Sequence, residues 1–272
     1  MTTVRPADLP DFTHPPVVET VLSVQFEPLL LPKTAHFGLY WNQIRARFPQ
    51  TAEQGELPSV VEKETGVPAL PIDIQLQTLN APPTPRFWFF NDSGTELIQV
   101  QRDRFIKNWR KVGEHDQYPR YEQVRQGFDR DFAEFTSFIA SHDLGRILVN
   151  QCEVTYINHI VAGESWQSHA DIDKVFAVCN QTQGPIPGRA EGVAIRARYP
   201  IHDDAGRFCG RLHASIQSVQ RLSDGSPMFL LELTARGQIG DATQFFDLGR
   251  EWIVKAFAKL TTEEMHNVWG RV

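Results

Sequence analysis

Sulfur is scarce in this sequence: three cysteines and three methionines in 272 residues. Cys152, Cys179 and Cys209 are odd in number and form no CxxC pair, which excludes a secreted disulfide framework or a zinc knuckle. Each lies in an apolar-patterned segment, where cysteine behaves as a small hydrophobe. No apolar run approaches the length of a transmembrane helix. Met1 to Pro16 carries Pro6, Pro10 and Pro15 but no apolar h-region, so no signal peptide is read and a cytoplasmic location is expected. Positive charge is not in surplus either: 27 Lys and Arg face 33 Asp and Glu, a net charge of −6, which argues against nucleic-acid binding driven by bulk electrostatics. The local signatures of catalysis are missing: there is no GxGxxG, no Walker loop, no GxSxG and no HExxH. No cofactor, metal or catalytic residue is therefore assigned, and the reading leans away from an enzyme.

What the chain does have is clear periodicity. Residues 1–16 read as an extended arm because of their prolines. From there Val18, Thr20, Leu22, Val24 and Phe26 alternate with Glu19, Ser23 and Gln25, the pattern of a half-buried strand. Thr34 is placed to cap a helix with Phe37, Trp41, Ile44 and Phe48 in one stripe. Residues 50–85 form a long Pro-rich connection, a length uncommon without a functional reason. Three strands follow: Arg86–Phe90, Thr95–Gln101 and Arg104–Val112. A long helix from Tyr118-Pro119 presents Tyr121, Val124, Phe128, Phe132, Phe135 and Ile139, with Gly145 as its C′ residue.

A similar order then recurs. Ile147–Val161 reads as a strand with Leu148, Cys152, Val154, Tyr156 and Ile160 on one face. Ser168–Cys179 reads as a short helix, and 180–191 as a Gly/Pro-rich loop. Three strands, Gly192–Ile201, Arg207–Leu222 and Pro227–Gln238, lead to a last helix capped by Asp241, with Phe245, Leu248, Trp252, Ala256 and Leu260 inward. Thr261-Thr262-Glu263-Glu264 reads as a second cap ahead of Met265, Val268 and Trp269. The expected fold is α+β: two consecutive β-α-β-β-β-α units, 17–145 and 146–272, each an antiparallel sheet with helices on one face, sharing one core.

Three histidine clusters are weighed as metal fragments and set aside. His202-Asp203-Asp204 precedes Ala205-Gly206 between two strands and reads as a turn. His169, Asp171 and Asp173 sit at a helix start, where acidic residues cap. His159 and His169 lack a third ligand at a metal spacing.

The most informative stretch is Thr95 to Arg110. A two-residue turn at Arg102-Asp103 pairs Gln101 with Arg104, Val100 with Phe105, Gln99 with Ile106 and Ile98 with Lys107. One face then carries Ile98, Val100, Phe105 and Trp109; the other carries Gln99, Gln101, Arg104, Asn108 and Arg110. The second half echoes it. Arg196 and Arg198 alternate with apolar residues, as do Arg211 and His213, and as does Glu232. Antiparallel sheets ordinarily have one solvated face. The other reading is a binding surface, because amides and guanidiniums recognise ligands by directional hydrogen bonds. The aromatic run Phe87–Phe90 could suit RNA, but eight basic against six acidic side chains over 86–125 is too small a surplus, and nucleic acid is an unlikely partner.

Several of these segments carry a resemblance. His14-Pro15-Pro16-Val17-Val18-Glu19, then Leu97-Ile98-Gln99-Val100-Gln101-Arg102-Asp103-Arg104-Phe105 running to Asn108-Trp109-Arg110, then Tyr118-Pro119-Arg120-Tyr121 and the stretch from Leu260-Thr261 to Trp269-Gly270 resemble a sporadically distributed bacterial protein family of unknown function, over the whole chain. The resemblance implies no activity. Patchy occurrence implies an accessory gene, of the kind found in defence or toxin–immunity islands. Two functions stay open. One is a non-enzymatic binding or assembly subunit, engaging a protein partner through its polar sheet faces or the 50–85 loop. The other is a small-molecule-binding or enzymatic domain with a pocket between the repeats, lined by Gln99, Asn108, Arg110, Arg196, Arg211, His213 and Glu232, with His213 and Glu232 as the acid–base pair and a small polar or anionic ligand.

Overall fold

The computed structural model describes residues 9–29, 33–64, 85–179, 188–238 and 244–272. Among the described residues, nine strands form one antiparallel sheet. In chain order the strands are β1 (Val17–Phe26), β2 (Gln50–Gln54), β3 (Arg86–Phe90), β4 (Glu96–Gln101), β5 (Arg104–Arg110), β6 (Val149–Val161), β7 (Ala194–His202), β8 (Phe208–Gln220) and β9 (Pro227–Gly237). Their order across the sheet is β2-β3-β4-β5-β1-β6-β9-β8-β7. The helices are α1 (Thr34–Ile44), α2 (Tyr121–Ser141), α3 (Ile172–Val175), α4 (Gln244–Leu260) and α5 (Glu263–Val268).

This overturns the expectation of two repeated units with a sheet each. β1 pairs with β6 from Val17↔Asn158 to Phe26↔Val149, so the two halves are joined by a full-length central ladder. β1 also pairs with β5 on its other side. A strand buried in the middle of a sheet has both rows of backbone donors and acceptors satisfied by neighbours, and element order alone does not say which neighbours those are. The halves also differ: the first contributes five strands, and its α1 has 11 residues where α3 has four.

The fifth strand in the first half is β2, whose Gln-Thr-Ala-Glu-Gln sequence has no apolar alternation. It is an exposed edge strand, paired with β3 at Ala52↔Trp88. The Pro-rich connection is thus strand at 50–54; its 65–84 portion lies outside the described residues, as do the Asp241 cap and most of the 180–191 loop.

On the helix side an aromatic cluster fills the space under α1 and α2. Tyr40, Phe26, Phe105, Phe128 and Phe135 are buried, with Phe105 ring centroids 5.8 Å from Phe128 and 5.3 Å from Phe135. Losing one such ring typically costs about 3–5 kcal/mol. The core is continuous from Phe37 to Trp269.

Smaller expectations are also corrected. In α1 the buried stripe is Phe37, Tyr40 and Ile44, while Trp41 is half-buried and donates its indole N–H to the Phe48 carbonyl at 3.0 Å. α2 starts at Tyr121 and ends at Ser141; the left-handed residue after it is Asp143 (φ 51°), with Gly145 (φ 118°) further on. Leu148 precedes β6 and is 48% exposed. The expected 168–179 helix is a 3-10 turn at His169–Asp171 followed by the single turn of α3. In α4 the buried residues are Phe245, Phe246, Gly249, Arg250, Ile253, Phe257 and Leu260, so the inward face is rotated from the expected one. Gly249 sets that rotation: a Cβ there would lie 3.1 Å from the Ala235 Cβ, so the absence of a side chain lets α4 settle onto β9. Thr262 does cap α5, but Val268 faces outward at 54% exposure.

Candidate functional site

All ten polar residues singled out from the sequence lie on one face of the sheet, opposite the helices. Strand pairing arranges them in rows. Gln101, Arg104, Gln25 and Gln151 stand side by side on β4, β5, β1 and β6. The next row runs Gln99, Ile106, Ser23, Glu153, Arg236, Arg211. A third runs Asn108, Val21, Thr155, Thr234, His213, Arg198, and a fourth Arg110, Glu19, Ile157, Glu232, Ser215, Arg196. Being rows of one sheet, they span many strands and do not converge on a single pocket.

The chain itself crosses this face. Residues 57–63 run over the strands, held mainly by side chains rising from the sheet. Gln101 acts as a surrogate peptide group: its Nε2 donates to the Leu57 carbonyl and its Oε1 accepts from the Leu57 N–H, both at 3.0 Å. Arg104 donates to the Pro58 carbonyl at 2.9 Å. Gln25 Oε1 accepts from the Val60 N–H at 3.0 Å, and Gln151 Oε1 from the Glu62 N–H at 3.3 Å. The spacing follows from geometry. Gln101 and Gln25 are two strands apart, roughly 9.6 Å, and three extended residues reach about 10 Å. Gln25, Gln101 and Gln151 are all buried, so leaving their amides unmatched would cost about 1–3 kcal/mol each.

The segment is fastened at Glu62. Arg211 donates to Glu62 Oε2 at 2.7 Å, His213 Nε2 lies 2.7 Å from Oε1, and Arg236 stands at 3.8 Å. Arg211 also reaches the Lys63 carbonyl at 3.3 Å. Burial opposes ionisation of Glu62, but hydrogen bonds from His213 and Arg211 outweigh it and hold the carboxyl below its ordinary range. Arg236 is held in turn by Glu153 at 2.5 Å.

The remaining predicted residues have other settings. Gln99 donates to Asn108 at 2.8 Å, and Asn108 donates to Glu19 at 2.6 Å. Burial raises the Glu19 pKa, moderated by that bond and by Arg110. Arg110 folds back on its own hairpin, donating to the Gly94 carbonyl at 2.7 Å with its guanidinium 4.9 Å from the Phe90 ring centre. Arg196 and Arg198 lie on β7, the far edge strand. Glu232 sits opposite Ser215 and accepts from Thr234 at 3.4 Å; the carboxylate that meets His213 is Glu62. That corrects the anticipated His213–Glu232 pair. Of the cavities lined by both halves, one of about 60 Å³ is on the helix side, lined by residues such as Tyr118, Tyr156, Asn158 and Arg250, and one of about 10 Å³ is on the far face beside Val60, with Gln25, Arg104, Gln151 and Arg236 among its walls; neither has the anticipated far-face lining.

Sequence reasoning placed Gln25 on the right face but did not single it out, and it missed Gln151, Glu153, Arg236 and Glu62. The first four sit at alternating strand positions, where period two marks them as far-side residues. Glu62 lies in an aperiodic stretch and leaves no such signal. Two of the three histidine clusters resolve as a turn and a cap: Asp203 accepts from Ala205 and Arg207 amides at 3.0 and 2.9 Å, and Asp171 accepts from those of Gln167 and Ser168. The Asp171 contacts, with Lys174 beside them, hold its pKa down to about 2.

Comparison with known proteins adds no identity to this geometry, since no family model, curated protein or solved structure matches the chain.

Proposed function

We propose that this protein is a non-catalytic binding or assembly subunit whose far sheet face grips an extended acidic polypeptide. The observation that supports this reading is the seating of residues 57–63 on Gln101, Arg104, Gln25 and Gln151, ending with Glu62 between Arg211 and His213. Carboxamides that bond main-chain N–H and C=O groups recognise an extended chain regardless of its side chains. A carboxylate clamp then adds the preference for acid at one position. In this arrangement the 57–63 segment is an internal occupant of the surface that a partner would take.

The test is binding in trans. A tethered segment has an effective concentration of about millimolar, so a free peptide competes poorly with it. A labelled peptide of the sequence Glu56–Glu64 is titrated against the natural protein and against a V60P/E62A variant, which loses one anchoring N–H and the clamped carboxylate. The variant is expected to bind at least tenfold more tightly. A peptide with Gln in place of its glutamate at position 62 should bind more weakly. Equal, undetectable binding to both proteins counts against the proposal.

A further inference from the structure

Independently of that reading, the helix side of the sheet holds a cavity of about 60 Å³ between the arm at Pro10–Val17, the start of α2, the middle of α4 and strands β6 and β9. Its walls are largely apolar, with Val17, Leu233, Ile253 and Phe257 among them. Seven of its lining residues have polar side chains, and four of them, Asn158, Arg250, Tyr118 and Tyr156, matter most here.

Asn158 is 1% exposed. Its Nδ2 donates to the Leu231 carbonyl at 3.1 Å, which fixes the amide orientation, and its Oδ1 is buried without a donor among the described residues. Arg250 is 6% exposed, with its guanidinium 4.6 Å from the Tyr121 ring centre and one terminal nitrogen 3.0 Å from Glu122. Its Nε–H is buried without an acceptor among the described residues. Tyr118 and Tyr156 share a hydrogen bond of 2.8 Å between their hydroxyls. Burial pushes Tyr156 up to about 12 and Tyr118 well above the usual phenol range, so both stay protonated and neutral.

The charges are already matched. Arg250 faces Glu122, and Arg120 meets Asp11 at 3.0 Å. An ion would enter a low-dielectric space without a counter-charge, which is expensive. A neutral guest is favoured, and it must offer a donor to Asn158 Oδ1 and an acceptor to Arg250 Nε. Each of those atoms left unmatched costs about as much as a lost hydrogen bond. The volume admits a body of few heavy atoms. We infer that the Asn158–Arg250 cavity binds a small neutral primary carboxamide, with its amide between the two side chains and its short apolar part against Val17, Leu233 and Ile253.

The experiment titrates the whole protein, by NMR with the Asn158 side-chain amide and the Tyr118 and Tyr156 rings as reporters, using acetamide, acetate and ethylammonium as probes. Acetamide should saturate these signals with at least tenfold higher affinity than either ion. Asn158→Leu, close in shape, should lose at least tenfold in acetamide affinity with its melting temperature measured alongside. If that variant does not fold, Arg250→Lys, which retains the charge facing Glu122 but removes the Nε donor, should show the same loss. Equal affinity for all three probes, no saturation by acetamide, or unchanged acetamide binding in the folded variant overturns the inference.

Discussion

The Glu62 carboxylate and the His213 imidazole, 151 residues apart in the chain, meet at 2.7 Å on the face of the sheet away from the helices. Arg211 shares the same carboxylate, so the end of an aperiodic segment is tied to β8. Because Glu62 has only 9% of its side chain exposed and Arg211 12%, this contact is not an ordinary surface pair. Glu62→Gln should destabilise the protein by about 2 kcal/mol at neutral pH, below the full cost of breaking a deeply buried pair because Arg211 and His213 retain some access to water. The Glu62 carboxyl titrates below its ordinary value of 4.5 in the fold. Its contribution is therefore complete above that pH and is lost as pH falls through the depressed folded value. Urea denaturation of the natural protein and of E62Q should converge across that acid range. Curves that stay parallel as the pH falls count against the linkage.

On the helix side, Asp131 of α2 is fully buried and accepts from Arg47 at 2.7 Å, Arg130 at 2.8 Å and Lys107. Lys107 itself is 4% exposed and also meets Glu96 at 2.6 Å. Gly127 makes room for the lysine, since a Cβ there would stand 3.2 Å from its Cε. Asp131→Leu leaves a buried ammonium short of a partner and should cost about 3–5 kcal/mol. Asp131→Leu with Lys107→Met removes both charges and should recover most of that loss, because burying an ion pair gains little over a packed apolar pair. Thermal melts of the two single variants and the double variant test this through their coupling energy.

Gly210 and Gly237 face each other across β8 and β9 beneath the Phe245 ring of α4. A Cβ on Gly237 would lie 2.0 Å from the Cys209 carbonyl oxygen and 2.7 Å from a Phe245 ring carbon. The first obstacle is backbone and cannot rotate away. Gly237→Ala should therefore destabilise by about 3 kcal/mol or more, at the upper end of overpacking effects. Chemical denaturation at constant slope would measure it; a loss under 1 kcal/mol would mean the two strands separate easily.

The parts of this architecture that could be read from sequence are those in which local geometry settles the answer. The Thr95–Arg110 hairpin is the clearest: a two-residue turn fixes the register, and alternation assigns Gln99, Gln101 and Arg104 to one face. The single sheet could not be read, because whether β1 pairs with β6 is decided by long-range packing with no local mark. The inward face of α4 was ambiguous for another reason. Leu248, Trp252 and Ala256 form a plausible apolar stripe, whereas the true one includes Gly249 and Arg250, which periodicity does not count as core. β2 was hidden because an exposed edge strand needs no apolar residues. The far face was legible as a set of residues but not as a site, because its organising element is the 57–63 segment and Glu62 lies outside every periodic pattern.

His266 makes the fold's acid sensitivity testable near neutrality. It is 4% exposed, on the buried side of α5. The Thr261 hydroxyl donates to the Phe257 carbonyl at 2.7 Å, so its oxygen accepts from His266 Nε2–H at 2.9 Å. Arg271 donates to His266 Nδ1 at 3.0 Å. That arrangement requires the neutral ring protonated on Nε2; a second proton on Nδ1 would face the guanidinium. Burial first, then the Arg271 charge, lowers the pKa below 6.5. Burial also lowers that of His159 on β6. For both, the unfolded chain takes up protons at a higher pH than the folded one, so stability is complete above about 6.5 and declines as pH falls toward the depressed values. The ring also packs on Phe12 of the arm, with centroids 5.4 Å apart. His266→Gln retains a donor and an acceptor but cannot be protonated. It should start less stable at pH 8, by about 1 kcal/mol for imperfect packing, and lose less stability than the natural protein between pH 7 and pH 5. Identical slopes for the two proteins in denaturant midpoint against pH would refute the assignment of the neutral ring.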